Sequence, residues 1–339
     1  MDWYQENKRD LPWRRSKDPY SIWISEIMLQ QTRVETVIPY YTRFLQDYPN
    51  VRALAEAGEE EILTSWKGLG YYSRARNLHR AAQMIQEKYQ GIIPNAYEDL
   101  RLLPGIGDYT AGAVLSIAFN LSFPAVDGNV LRVVSRIAGW EEDIRDAMGR
   151  EKIGHIVSGL IPPGRAGEFN QALMELGAEL CIPKNPLCTD CPIRSCCSAM
   201  STGRQSCIPV KKQAKSPVPL EYWVAVLRRD KSVLMQYRDQ TALLGRMWGF
   251  PMLIKMLSAE PLNEFTQQIG LELREMRRLG ETKHVFTHQV WRMEAIEFIW
   301  EETQNELPKG LAWIPFDKMD HIPIPRAFQK IIKLCDIGV

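Results

Sequence analysis

The chain has 339 residues, 45% of them hydrophobic, which is room for two domains with a core each. No run of about 18 apolar residues occurs, which excludes a helical membrane span, and the polar N-terminus lacks a signal-peptide core, so an intracellular protein is expected. The net charge of +1 divides into −3 over residues 1–200 (22 Lys and Arg against 25 Asp and Glu) and +4 over the rest (20 against 16), so nucleic acid cannot be held by bulk positive charge, and any grip on an anion must come from local placement and backbone N–H groups.

Residues 1–180 read as helices throughout. A long apolar rhythm with few turn signals runs over 20–45. Over 71–89, Ala75, Leu78, Ala82, Ile85 and Tyr89 share one face, with Arg74, Arg76 and Arg80 on others and Gly91 as the stop. Asn95-Ala96-Tyr97-Glu98 resembles a capping box. Leu103-Pro104-Gly105-Ile106-Gly107 is a tight turn with glycines flanking its tip, and the pattern after it places Ala111, Val114, Leu115 and Ala118 on one helical face. Such a turn at a helix N-terminus is an anion site. One short helix later stands Asp127, a lone acid in Val126-Asp127-Gly128-Asn129-Val130. It suits an N-cap for the next helix, and a carboxylate fed by backbone N–H groups also stays ionised, so a chemical role is compatible with capping. Further helices are expected over 129–138, 146–160 and 166–180.

Cys181, Cys188, Cys191 and Cys197 follow at spacings of six, two and five intervening residues, in a loop stiffened by Pro183, Pro186 and Pro192. Four thiolates suit tetrahedral zinc or an iron–sulfur cluster; a single C-x-x-C knuckle leans toward the cluster. Cys196, Cys207 and Cys335 read as ordinary cysteines. Residues 201–219 are polar, basic and proline-bearing, a linker. Beyond it the period becomes alternating: a hairpin of 222–228 and 232–237 around Asp230, β-type alternation over 284–298, and an amphipathic helix over 326–335. The expected architecture is an all-α domain, a linker and a smaller α+β domain.

A glutamate is by default a solvated helix-face residue. Glu26 differs in its flanks: Ile22, Trp23, Leu29 and Gln30 are its neighbours at three and four residues. Desolvation there would raise its pKa and make it a proton donor near neutrality. A protonated Glu26 and an ionised Asp127 would form the carboxyl pair that cleaves glycosidic bonds.

Together, the Leu-Pro-Gly-Ile-Gly hairpin, the Asp127 turn and the four-cysteine loop resemble the helix–hairpin–helix DNA glycosylases that carry an iron–sulfur cluster. Ile24-Ser-Glu-Ile-Met-Leu-Gln-Gln-Thr32, Gly68-Leu-Gly-Tyr-Tyr-Ser-Arg-Ala-Arg76 and Leu11-Pro-Trp-Arg14 extend the resemblance, within that superfamily, to the MutY-type adenine DNA glycosylases over essentially the whole chain.

The resemblance implies a catalytic domain over 1–200, with the helix–hairpin–helix at about 98–120 and a [4Fe-4S] cluster on Cys181, Cys188, Cys191 and Cys197. The linker is 201–219, and 220–339 is a Nudix-like domain that recognises 8-oxoguanine. It implies excision of an extruded adenine mispaired with 8-oxoguanine or guanine in duplex DNA, by a cytoplasmic, nucleoid-associated bacterial monomer that does not bind membranes. Glu26 would protonate the adenine N7, Asp127 would stabilise or capture the anomeric carbon, Asn129 would position the groups and Tyr109 would shape the pocket. Trp13, Arg14, Leu29 and Gln171 match adenine-pocket positions. Gly105, Ile106 and Gly107, with a cation at the turn, would hold backbone phosphate. Gln31, Leu69 and Tyr71 match residues that wedge the duplex, and Phe286-Thr287-His288 would read the lesion. The related endonuclease III carries an imine-forming lysine where this chain has Tyr109, which implies excision without strand cleavage; an endonuclease III-like lyase acting on oxidised pyrimidines is the alternative. The segment after Trp248-Gly249-Phe250-Pro251 lacks the glutamate-rich box of a Nudix hydrolase, so recognition is expected of the second domain.

Overall fold

The structure is a computed structural model that describes residues 1–144, 146–210, 216–239, 243–257, 260–300 and 307–336. The chain divides into two compact units, Met1–Ala57 with Ser73–Gln213, and Gly58–Tyr72 with Ala214–Val339.

The first unit is helical among the described residues. At its centre is the Pro19–Leu29 helix, in which every residue from Tyr20 to Met28 except Ser21 is buried. Asp18 caps it, accepting from the Ser21 N–H at 2.9 Å, and Pro19 supplies a fixed φ at its first position. The 20–45 rhythm is therefore two helices, Pro19–Leu29 and Val34–Asp47, separated at Gln31, whose φ of 56° is left-handed. No glycine or proline marks this break. Its cause is Arg74, which is buried, not on an open face of its helix. Its Nη1 donates to the carbonyls of Ile27, Met28 and Gln30 at 2.8, 2.8 and 2.7 Å, closing the C-terminal end of the Pro19–Leu29 helix.

The helix of Arg74 runs Ser73–Tyr89 and ends at Gly91 as expected. The capping box at Asn95 does not form: the next helix, Tyr97–Leu102, starts one residue late, with Ala96 at the cap and no side-chain bond there. Tyr97 instead stacks on Phe123 at 5.3 Å and donates to Asp108 at 2.9 Å, which fixes that register. Helix Asp108–Phe119 carries the face expected after the hairpin, and Gly128–Ala138, Ala147–Leu160 and Ala166–Glu179 follow within two residues of their expected bounds.

The second unit is built on a mixed sheet of β1 (Val218–Arg229), β2 (Ser232–Tyr237), β3 (Trp248–Gly249), β4 (Met252–Ile254), β5 (Leu273–Val285), β6 (Gln289–Trp300) and β7 (Leu311–Pro315). The path is β3-β2-β1-β6-β5, with β1 and β6 parallel, β4 on β1 and β7 on β2. Successive residues of β1 feed opposite cores: Val224 and Val226 pack with Phe250, Met293, Trp291 and Phe328, and Ala225 and Leu227 with Phe265, Ile296 and Phe298. Phe328 belongs to the Arg326–Leu334 helix and Phe265 to the Pro261–Ile269 helix, so helices cover both sheet faces and central strands read as apolar runs.

The hairpin around Asp230 forms as expected. The 284–298 alternation is not one strand: it is the end of β5, a turn at Phe286-Thr287-His288 closed by Phe286 N–H to Gln289 O at 2.8 Å, and β6. Of the expected linker, 211–215 lie outside the described residues and Val218 already opens β1. The Gly58–Tyr72 segment, expected in the catalytic domain, packs in the second unit, fastened by Glu59 to Arg246 at 2.8 Å and Lys67 to Asp320 at 2.9 Å.

Candidate active site

A cleft of about 1540 Å³ opens in the first unit, and Glu26, Tyr109, Asp127 and Asn129 all line it. Glu26 is 5% exposed. Burial raises its pKa from 4.5 to about 7, against the lowering effect of a hydrogen bond from the Tyr109 hydroxyl to Oε2; the charge of Asp127 raises it further and Arg14 lowers it. Burial, with Glu26 and Asp127 adding to it, pushes the Tyr109 phenol well up, so Tyr109 stays a donor. Oε2 is thus engaged by that bond.

Asp127 caps the Gly128–Ala138 helix. Its Oδ1 accepts from Val130 N–H at 2.7 Å and its Oδ2 from Asn129 Nδ2 at 2.8 Å. Burial raises its pKa, and these bonds oppose the rise. Both oxygens act as acceptors, an arrangement that favours the carboxylate over the acid. Asp127 is thus the helix cap that the sequence suggested, and it also lines the cleft.

Asn129 is itself held: its Oδ1 accepts from Arg132 Nη2 at 2.8 Å, and Arg132 also reaches the carbonyls of Gly177 and Cys181, both at 2.7 Å. One turn on, Arg136 is buried and donates to the carbonyls of Ile208 (2.9 Å), Ile182 (2.8 Å) and Pro183 (3.2 Å), and to Cys181 Sγ (3.3 Å). The Ala166–Glu179 helix approaches closely here because Gly177 has no side chain; a Cβ on it would lie 2.6 Å from Asn129 Cβ. Gly177→Ala should displace Asn129 and with it Asp127, lowering single-turnover base release by about 10–100-fold. Gly159→Ala, where a Cβ meets nothing within 4 Å, should leave the rate unchanged.

Trp13, Arg14, Leu29 and Gln171 line the same cleft, with Gln31 at its edge. Trp13 is edge-on to Tyr41 at 5.4 Å, and Gln171 donates to Gly167 O at 3.1 Å, keeping one N–H and its carbonyl for a ligand. Arg14 is fixed by Glu175, a buried carboxylate that accepts from both Arg14 and Arg9 at 2.7–3.0 Å. Burial pushes Glu175 up, but the hydrogen bonds from Arg9 and Arg14 outweigh it and hold Glu175 at about 2.

The hairpin turn has Gly105 at φ 80°, a left-handed residue pressed on Asn77, while Ile106 is buried and Gly107 caps the Asp108–Phe119 helix with open space at its Cα. Buried Ile106 anchors the turn, and the two glycine positions keep its amides approachable. In the cysteine loop, burial raises Cys188 and Cys191, and the charges of Cys181 and Cys197 add to both. Among the described residues no three Cys, His, Asp or Glu side chains converge on a single-ion site. Cys196 and Cys207 are exposed, and Cys335 is buried in the second unit's core.

In the second unit Leu69 is buried and Tyr71 is 48% exposed. Phe286 packs edge-on to His284 at 4.6 Å and Trp291 at 4.7 Å, and Thr287 and His288 are exposed at the hairpin tip.

The fold and cleft define a helix–hairpin–helix base-excision enzyme joined to a Nudix-like module. Residues 24–158 match the family model of the HhH-GPD superfamily base excision DNA repair proteins, and residues 222–334 match the NUDIX domain. The chain is 31% identical to the adenine DNA glycosylase of Buchnera aphidicola from Acyrthosiphon pisum, over 98% of this chain and 95% of that protein. It is 33% identical to the human adenine DNA glycosylase, over 98% of this chain and 72% of that one. Among solved structures, a thermostable thymine-DNA glycosylase matches 59% of this chain and 93% of its own at a TM-score of 0.55 and 30% identity. The chain belongs to the adenine DNA glycosylase family and is a DNA glycosylase of base excision repair.

Proposed function

We propose that the chain excises adenine mispaired with 8-oxoguanine or guanine in duplex DNA and leaves an abasic site in an uncut strand. The observation that carries this reading is Glu26, buried and brought to about 7 beside Tyr109, in one cleft with an Asp127 whose two oxygens both accept hydrogen bonds. The adenine leaves the stack and enters the cleft between Trp13, Arg14, Leu29 and Gln171. Glu26 gives its proton to N7, so the base departs as a neutral leaving group when the C1′–N9 bond breaks. Asp127 stabilises or captures the cationic C1′; water then supplies hydroxide to C1′ and returns a proton to Glu26.

No amine stands at Tyr109 to form an imine with the sugar, which supports excision without strand cleavage. The hairpin amides of Gly105, Ile106 and Gly107, with a cation at the turn, hold backbone phosphate. Cys181, Cys188, Cys191 and Cys197 would hold a [4Fe-4S] cluster, which would tie the loop together, with Arg136 donating to Cys181 Sγ. Tyr71 wedges the duplex and the Phe286-Thr287-His288 hairpin reads the oxidised base. The enzyme works as a monomer on cytoplasmic DNA.

An 8-oxoguanine:adenine duplex, resolved on a denaturing gel with and without alkali, tests this. Cleavage at the adenine only after alkali is expected. Cleavage without alkali, or no loss of adenine at all, would overturn the reading.

A further inference from the structure

A hydroxyl carries one donor hydrogen and two acceptor lone pairs, so by itself it cannot separate guanine from 8-oxoguanine. Guanine N7 is an acceptor, which a hydroxyl can meet by donating. In 8-oxoguanine N7 carries a hydrogen, which the same hydroxyl can meet by accepting. Discrimination by Thr287 therefore needs something that fixes the direction of its O–H.

The structure supplies a partner. Tyr71 OH lies 3.3 Å from Thr287 Oγ1. We infer that Thr287 donates its single hydrogen to Tyr71, and that Tyr71 thereby makes Thr287 a reader of the oxidised base alone. The inference rests on the lesion-reading role proposed above and adds a specificity residue to it. With its hydrogen committed, Thr287 keeps only lone pairs: it accepts from the N7–H of 8-oxoguanine and meets the guanine N7 lone pair with its own.

Two features hold this contact. The Gly58–Tyr72 segment and the β5–β6 hairpin belong to one compact unit, and Lys67 ties that segment down by donating to Asp320 (2.9 Å) and to Met319 O (3.1 Å). Gly70 and Tyr71 both have left-handed φ, 73° and 49°, a sharp bend that sets the tyrosine's direction. On the other side Phe286, wedged between His284 and Trp291, anchors the turn that carries Thr287. Thr287 is β-branched, which stiffens χ1 and helps hold its hydroxyl in place.

The test compares single-turnover adenine release from 8-oxoguanine:adenine and guanine:adenine duplexes by the full chain, Tyr71→Phe, Thr287→Ala and the double variant. Tyr71→Phe keeps the wedging ring and removes only the oxygen. It should narrow the ratio of the two rates by about three- to tenfold, the scale of one neutral hydrogen bond. In the Thr287→Ala background it should narrow the ratio no further. If Thr287→Ala narrows the ratio and Tyr71→Phe lowers both rates alike, the inference falls and lesion reading stands. If Thr287→Ala leaves the ratio intact, lesion reading itself falls.

Discussion

Glu26→Gln should lower single-turnover adenine release by about 10²- to 10⁴-fold, the range for loss of a general acid, while the folded protein becomes more stable above pH 7. The two effects share one cause. The Glu26 pKa rises from 4.5 to about 7 on folding, chiefly through burial. The folded state therefore holds a proton that the unfolded chain releases between those values, so stability falls as pH rises through that window. At pH 8 folding carries a cost of about 3 kcal/mol from this one buried charge. Glutamine has no charge to desolvate and can still accept from Tyr109. Thermal melts of the two proteins should coincide near pH 4.5 and separate by pH 8, with the variant higher. A variant that melts lower at pH 8, or that retains the wild-type rate, would show that Glu26 is not the buried acid.

The largest structural loss is expected at Arg136. Its guanidinium is buried and satisfies the carbonyls of Ile208, Ile182 and Pro183 as well as Cys181 Sγ. Arg136→Ala strands these acceptors at roughly 1–3 kcal/mol each before relaxation, for a net of about 3–5 kcal/mol. Urea unfolding should show a midpoint lowered accordingly, and the purified variant should lose the visible absorption expected of a cluster-bearing protein. Arg136→Lys should not restore stability, since one ammonium cannot reproduce a fork that spans these carbonyls and that of Cys181. A midpoint within 1 kcal/mol of wild type would mean that the loop holds itself together without Arg136.

The arginines also mark the limit of what sequence reveals. Glu26 and Asp127, which line the cleft, were legible because each announces itself locally, by apolar flanks or by a glycine turn. Arg74, Arg132, Arg136 and Glu175 were not, because most of their partners lie 42 to 166 residues away, and those of the three arginines are mostly backbone carbonyls, which leave no side-chain signature.

Strand β5 escaped for a related reason. It is a sheet edge whose side chains are mostly exposed, and its run of charges reads as a loop until Arg277 and Arg278 are seen paired with Glu297 and Glu294 on β6, at 2.7 and 2.9 Å. The placement of Gly58–Tyr72 in the second unit rests on ion pairs across about 190 and 250 residues, which no periodicity encodes. The contact of Thr287 with Tyr71 belongs with these: the residue is visible in the sequence, and its partner is visible only in the fold.

The most direct test of the acid and carboxylate pair is the pH dependence of single-turnover adenine release by the wild-type chain on an 8-oxoguanine:adenine duplex. Glu26 must be protonated to act, so the rate should hold below pH 7 while Asp127 remains ionised, and fall about tenfold per pH unit well above it. A rate that stays constant from pH 6 to pH 9 would contradict the assignment of Glu26 as the proton donor.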